Sequence, residues 1–82
     1  MTETEMSTIV TEILVENLKV PPESISADAH VFEDLGLDSV DLIATIAIVE
    51  QRFGIQVLDN ELADMLVLGD AIELLTAKVA GG

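Results

Sequence analysis

The sequence predicts an all-α domain, a four-helix bundle with a long first loop and a short third helix. Three observations carry that expectation. Apolar residues recur at helical spacing in segments separated by loop signals. Pro21-Pro22 opens a long connection that no continuous helix can cross. Asp38 and Gly54 bracket the longest apolar segment with a helix-starting residue at one end and a helix-ending residue at the other. The 82 residues leave room for one domain and one core, taken as 1–82 with the core at about 6–79.

In the first segment Met6, Ile9, Val10, Ile13, Leu14 and Leu18 recur at helical spacing, with Glu5, Glu12 and Glu16 on other faces. The helix they define ends near Leu18. The loop after Pro21-Pro22 runs to Leu37, and Ile25, Val31, Phe32 and Leu35 can pin it to the core. A connection this long in a small domain often carries function. Asp38 is suited to cap the second helix, residues 39 to about 53, by accepting from an N–H two or three positions on. Gly54 fits the left-handed position that ends it.

Val40, Ile43, Ala44, Ala47 and Ile48 read as the apolar stripe of this second helix, widened by Leu42, Ile46 and Val49. So broad an apolar surface is either deeply buried or shared with a partner or cargo. Residues 60–65 read as the short third helix, with Asn60 its cap, and residues 68 to about 79 as the fourth. Ala71, Ile72, Leu75 and Val79 then face inward, and Ala80-Gly81-Gly82 forms a flexible tail. Ile43, Ile46, Ala47, Ile55, Leu62, Met65 and Leu66 read as core.

Half of the residues are hydrophobic, yet Phe32 and Phe53 are the only aromatic ones, so the core is aliphatic and the chain is not disordered. Sixteen acids face three bases, Lys19, Arg52 and Lys78, for a net charge of −13. That charge excludes nucleic acid and anionic membrane as partners and suits basic protein surfaces, although it also serves solubility alone. There is no cysteine for a disulfide, a thiolate metal site or a nucleophile. The N-terminus lacks the basic-then-apolar order of a signal peptide, and no apolar run approaches the ~20 residues that span a bilayer. The expected location is cytoplasmic.

Ser39 stands directly behind Asp38 at the start of the second helix. Its hydroxyl is therefore expected to be exposed, at the end of a flexible loop, beside a helix end that favours negative charge. Three readings compete. A serine in a first helical turn needs no function. A catalytic nucleophile needs a base, and His30, the single histidine, lies earlier on the loop, with no Gly-x-Ser-x-Gly elbow present. A modification site needs only exposure and the positive helix end. His30 has no Cys or His companion for a metal, and Asp34, Asp38 and Asp41 lack EF-hand spacing. Glu33, Asp34, Asp38 and Asp41 gather near Ser39, and Asp59, Glu61 and Asp64 form a second acidic group. Asp41 and Glu50, nine positions apart, point about 180° from each other and make no common patch.

Phe32-Glu33-Asp34-Leu35-Gly36-Leu37 followed by Asp38-Ser39-Val40, with Glu50, Phe53-Gly54-Ile55 and Gly69-Asp70-Ala71 beyond, resembles the acyl carrier proteins of fatty-acid and polyketide synthesis. The resemblance covers residues 6 to 79 or so. It implies a bundle of acyl-carrier type and a monomeric carrier that is not an enzyme. It implies that Ser39 bears 4′-phosphopantetheine, taken covalently from coenzyme A, whose thiol holds acyl groups as thioesters. Asp38 then serves transferase recognition as well as capping. Glu33, Asp34, Asp38, Val40, Asp41, Asp59 and Glu61 are the implied partner-binding residues. The implied partners are a phosphopantetheinyl transferase, an acyltransferase or ligase, a ketosynthase and other pathway enzymes with basic docking surfaces.

Met1 at the start fits a freestanding carrier, and an excised domain would look the same. Three departures from the family pattern stand out. Val40 replaces the usual leucine after the serine, and Val67 stands where a threonine often caps the fourth helix. Ala44, Gln51 and Arg52 occupy places where fatty-acid carriers usually have glutamates on the outer face of the second helix. That last departure suits dedicated partners, as in a specialised polyketide pathway. Two alternatives stay open at this point: an aminoacyl or peptidyl carrier, and an acidic helical interaction module without a prosthetic group.

Overall fold

A computed structural model describes residues 1–81. It places α1 at Glu3–Asn17, α2 at Ser39–Phe53 and α3 at Leu68–Gly81, with 3-10 segments at Pro22–Ser24 and Asp59–Met65. The longer 3-10 segment is the short third helix of the expected bundle. The all-α class, the long first loop and the helix order follow the sequence reading.

The helix ends show local chemistry at work. α1 starts earlier than its apolar stripe because Thr2 and Glu5 cap it reciprocally. The Glu5 N–H donates to the Thr2 hydroxyl (3.2 Å), and the Thr2 N–H donates to the Glu5 carboxylate (3.0 Å). Donation from the Thr2 N–H first, and then from the Thr2 hydroxyl (3.1 Å), holds the Glu5 carboxyl below its ordinary range. After α1 the chain turns through Lys19 at φ 60, a left-handed conformation usually given to glycine. α2 ends on Gly54 at φ 67, as expected, and the Gly54 and Ile55 N–H groups return to the Glu50 carbonyl (2.8 and 3.2 Å).

Two expectations at helix ends are corrected. Asn60 does not cap the third helix; the Leu58 N–H is held instead by the Glu61 carboxylate (2.8 Å), so the segment starts one residue earlier. α3 does not fray after Val79 but continues through Ala80 and Gly81, while Gly82 of the expected tail lies outside the described residues.

Val67 lacks a capping hydroxyl, and the start of α3 is capped by main chain from the long loop. The Leu68 N–H donates to the Ala29 carbonyl (2.9 Å) and the Gly69 N–H to the Ala27 carbonyl (2.8 Å). The Val31 N–H donates to the Leu66 carbonyl (2.8 Å), completing an isolated antiparallel bridge between His30 and Val67. Two of the orphan donors of this helix N-terminus are thus satisfied from about half the chain length away.

The core is aliphatic. Met6, Val10, Ile13 and Leu14 of α1 meet Leu42, Ile46 and Val49 of α2 and Leu68, Ala71, Ile72 and Leu75 of α3. Val20, Ala29, Val31, Leu35 and Leu37 bring the loop into the same cluster, with Ile25 and Phe32 partly buried beside them. Each large aliphatic side chain buried in this way contributes about 1.5–3 kcal/mol.

The stripe assigned to α2 is the main error of the sequence reading. Leu42, Thr45, Ile46 and Val49 are buried and Ile48 packs half-buried against the core, whereas Val40, Ile43, Ala44 and Ala47 face outward. Two sets of residues at 3-4-7 spacing share this helix, and tertiary packing chose the other one. Thr45 is a buried polar residue, satisfied by donating to the Asp41 carbonyl (2.9 Å). Ile43 and Ala47 therefore leave the expected core; Ile46 and Met65 belong to it, and Ile55, Leu62 and Leu66 pack at its edge. Among the described residues no helix is long and apolar enough to cross a membrane.

Candidate functional site

Asp38 starts α2 with a reciprocal cap. The Asp41 N–H donates to Asp38 Oδ1 (2.8 Å), the Asp38 N–H donates to Asp41 Oδ2 (3.3 Å), and the Leu42 N–H donates to the Asp38 carbonyl (3.0 Å). A helix start leaves four N–H groups without intrahelical partners. The cap takes those of Asp38 and Asp41, so those of Ser39 and Val40 have no partner among the described residues. Ser39 is exposed at the first position of the helix, and its hydroxyl enters no side-chain hydrogen bond among the described residues.

The approach to Ser39 is firmly anchored rather than loose. Leu35 and Leu37 are buried on either side of Gly36, whose φ of 72 turns the chain between them. The Asp34 and Leu35 N–H groups donate to the His30 carbonyl (2.8 and 3.1 Å), and the Leu37 N–H donates to the Val31 carbonyl (3.1 Å). His30 is part of this turn. Its Nδ1 accepts from the N–H groups of Phe32 (3.1 Å) and Glu33 (3.3 Å), and its ring tilts against Phe32 at 5.8 Å.

Chemically, the site offers an exposed primary hydroxyl, two spare N–H donors and two capping carboxylates. His30 is engaged in its own turn and supplies no base to Ser39. The hydroxyl is therefore equipped to receive a group delivered by another protein, and the free donors suit a phosphodiester at that position. The carboxylates of Asp38 and Asp41 oppose a free anion at the same position. No cluster of three or more potential metal-ligating side chains occurs among the described residues.

The structure separates the seven residues expected to meet partners. Asp34 accepts from the His30 N–H (2.7 Å), and Asp38 and Asp41 are occupied with each other's backbone. Glu61 holds the Leu58 N–H and pairs with Lys78 (2.8 Å), and that lysine is the first cause of its carboxyl lying below the ordinary range. Glu33 and Asp59 are exposed, with no side-chain bond among the described residues. Val40 is 73% exposed, and the sequence reading missed its neighbour Ile43 at 55%. Together with Ala44 and Ala47 they form an outward apolar stripe that begins one residue after Ser39. Glu50 binds the Val57 N–H (2.9 Å) and so shapes the loop after α2 rather than an acidic face.

The interior holds a void of about 20 Å³ among Val10, Leu14, Leu37, Leu42, Thr45 and Leu75, with room for little more than one water. Of Ile43, Ile46, Ala47, Ile55, Leu62, Met65 and Leu66, read from the sequence as core, only Ile46 borders it.

Comparison with known proteins adds a second line of observation. The family model described as "Phosphopantetheine attachment site" matches residues 8–75. An acyl carrier protein of Sulfurovum sp. is 35% identical over 66 residues, 80% of this chain and 88% of its own. One of Campylobacter hominis is 33% identical over 63 residues, 77% of this chain and 80% of its own. One of Caulobacter vibrioides is 32% identical over 71 residues, 87% of this chain and 91% of its own.

Proposed function

Because the chain belongs to the acyl carrier protein family, whose members are carriers rather than enzymes and bear a covalent 4′-phosphopantetheine, we propose that Ser39 is the attachment residue. The supporting observation is the position of its hydroxyl at the first position of α2, exposed and, among the described residues, unbonded and beside two N–H groups without partners. In the transfer step the Ser39 oxygen attacks the β-phosphorus of coenzyme A. The Pβ–O bond of the phosphoanhydride breaks, its bridging oxygen leaves with adenosine 3′,5′-bisphosphate, and the serine proton passes to a base on the transferase, which also supplies Mg²⁺. The arm, once bound, supplies a thiol that holds acyl groups as thioesters. The polypeptide contributes placement: Asp38 and Asp41 fix the helix start, Leu35 and Leu37 fix the approach, and Asp38 also faces the transferase.

Intact-protein mass, taken before and after incubation with coenzyme A, Mg²⁺ and a broad-specificity phosphopantetheinyl transferase, tests this reading. The protein should gain one phosphopantetheinyl unit and Ser39→Ala none. A gain that survives in Ser39→Ala would move attachment elsewhere.

The outer face of α2 supports one reading of the pathway. Exposed Val40, Ile43, Ala44 and Ala47 run along it, and Gln51 and Arg52 are exposed near its end. A partner that reads this face needs apolar contact more than a uniformly basic surface, which supports dedicated enzymes of a polyketide pathway over a generalist fatty-acid set. Exposed Glu33 and Asp59 remain for steering basic surfaces toward the site. Loading assays with a ketosynthase of each kind decide between them. Equal transfer to both would remove the preference.

A further inference from the structure

A surface groove of about 520 Å³ lies between the short third helix and α3. Its floor is apolar, from half-buried Leu66, Val67 and Leu74, and its rim carries exposed Asp64, Asp70 and Glu73. Asp70, Glu73 and Leu74 recur at positions i, i+3 and i+4, so α3 presents them along one edge. No residue of α2 or of the approach to Ser39 lines the groove. None of the three rim acids takes part in an ion pair or side-chain hydrogen bond among the described residues. Lys78, the one base of α3, is committed to Glu61 instead.

An apolar floor under an unneutralised acidic rim is complementary to one kind of occupant, a helical segment with aliphatic side chains along one edge and lysine or arginine on either flank. The volume falls in the range of sites that take a few side chains rather than a single atom or ion. From this we infer that the groove is a second docking surface, used by a basic amphipathic helix of a partner protein. Because it shares no residue with the Ser39 site, a partner bound there leaves the serine and the outward stripe of α2 free. The carrier is then held by one contact while a different enzyme works at the other.

The test uses the full-length isotope-labelled protein and a synthetic leucine–lysine amphipathic helical peptide, with a scrambled peptide of the same composition as control. Amide NMR shifts should concentrate at Leu66, Val67, Asp70, Glu73 and Leu74 with the amphipathic peptide and not with the scrambled one. The variant Asp64→Asn/Glu73→Gln should weaken binding roughly fivefold, while Glu12→Gln/Glu16→Gln, an equal charge change on α1, should leave it within about twofold. Phosphopantetheinylation followed by intact mass should proceed equally in all variants, which separates this inference from the assignment of Ser39. Shifts along Val40 to Ala47, shifts spread over every acidic residue, equal losses in the two variants, or no binding at all would each overturn it.

Discussion

Gly69 lies so close to Ala27 that a Cβ on it would stand 2.9 Å from the Ala27 carbonyl oxygen, the same oxygen that its own N–H binds at 2.8 Å. The atom in the way is backbone, which cannot swing aside as a flexible side chain would. Gly69→Ala should therefore lower the unfolding free energy by about 1–3 kcal/mol, read from urea denaturation. A loss below a few tenths would mean that the loop yields freely and the contact is loose.

Asp38 caps α2, and the proposed function gives it a second, separable role as a charge facing the transferase. Asn caps a helix as well as Asp does, whereas Ala does not. Asp38→Ala should cost about 1 kcal/mol in stability, and Asp38→Asn only a few tenths. Both should slow phosphopantetheinylation if the charge is read by the enzyme. An Asp38→Asn protein modified at the wild-type rate would leave Asp38 as a cap alone.

Lys19 occupies a left-handed conformation that costs an ordinary residue energy and glycine almost none. Lys19→Gly should raise stability by about 0.5–1 kcal/mol, net of the extra freedom glycine has when unfolded. Chemical denaturation reads the shift directly. A decrease would show that the lysine stem packs usefully despite its exposure.

Glu61 and Lys78 tie the short third helix to α3, and the pair makes stability depend on pH in a defined direction. The Glu61 carboxyl is held below its ordinary range when folded, so its contribution is complete above that range and disappears as pH falls through the folded value. Each single variant also changes the net charge of a chain at −13, so single variants mislead. A double-mutant cycle of Glu61→Gln with Lys78→Met isolates the pair. The coupling should be favourable near neutral pH and vanish in acid. A coupling that persists in acid would rule out the ion pair as its source.

The chain announced its helices but not which side of α2 faces in. Apolar residues surround most of that helix, so periodicity offered two phases of equal spacing. The buried one contains Thr45, a residue that hydropathy alone does not favour. What chose it was the position of α1 and α3, which no local pattern encodes. The Asp38 cap and the Gly54 terminator were legible because each acts within a few residues. Thr2 and Glu5 form the same kind of local pattern, but it lies ahead of the apolar stripe from which the helix was read. Glu61 and Glu50 looked like surface acids because their backbone partners, Leu58 and Val57, have no sequence signature as acceptors' targets. Ser39 stood out for its setting, an acid before it and a long anchored loop leading to it. The outward stripe beside it emerged only once the helix had a definite rotation.

The cap on α3 comes from two carbonyl oxygens, and a carbonyl is common to every residue. Substitutions at exposed Ala27 can change its side chain freely so long as they respect Gly69, because the bonded atom stays. Deleting or inserting one residue in the preceding stretch is different, since it shifts Ala27 and Ala29 out of register with Gly69 and Leu68 together. Surface loops usually accept changes of length more readily than a packed core does. This one is permissive in spelling and strict in word length, a constraint that would emerge in a survey of loop insertions and stay hidden in one of point substitutions.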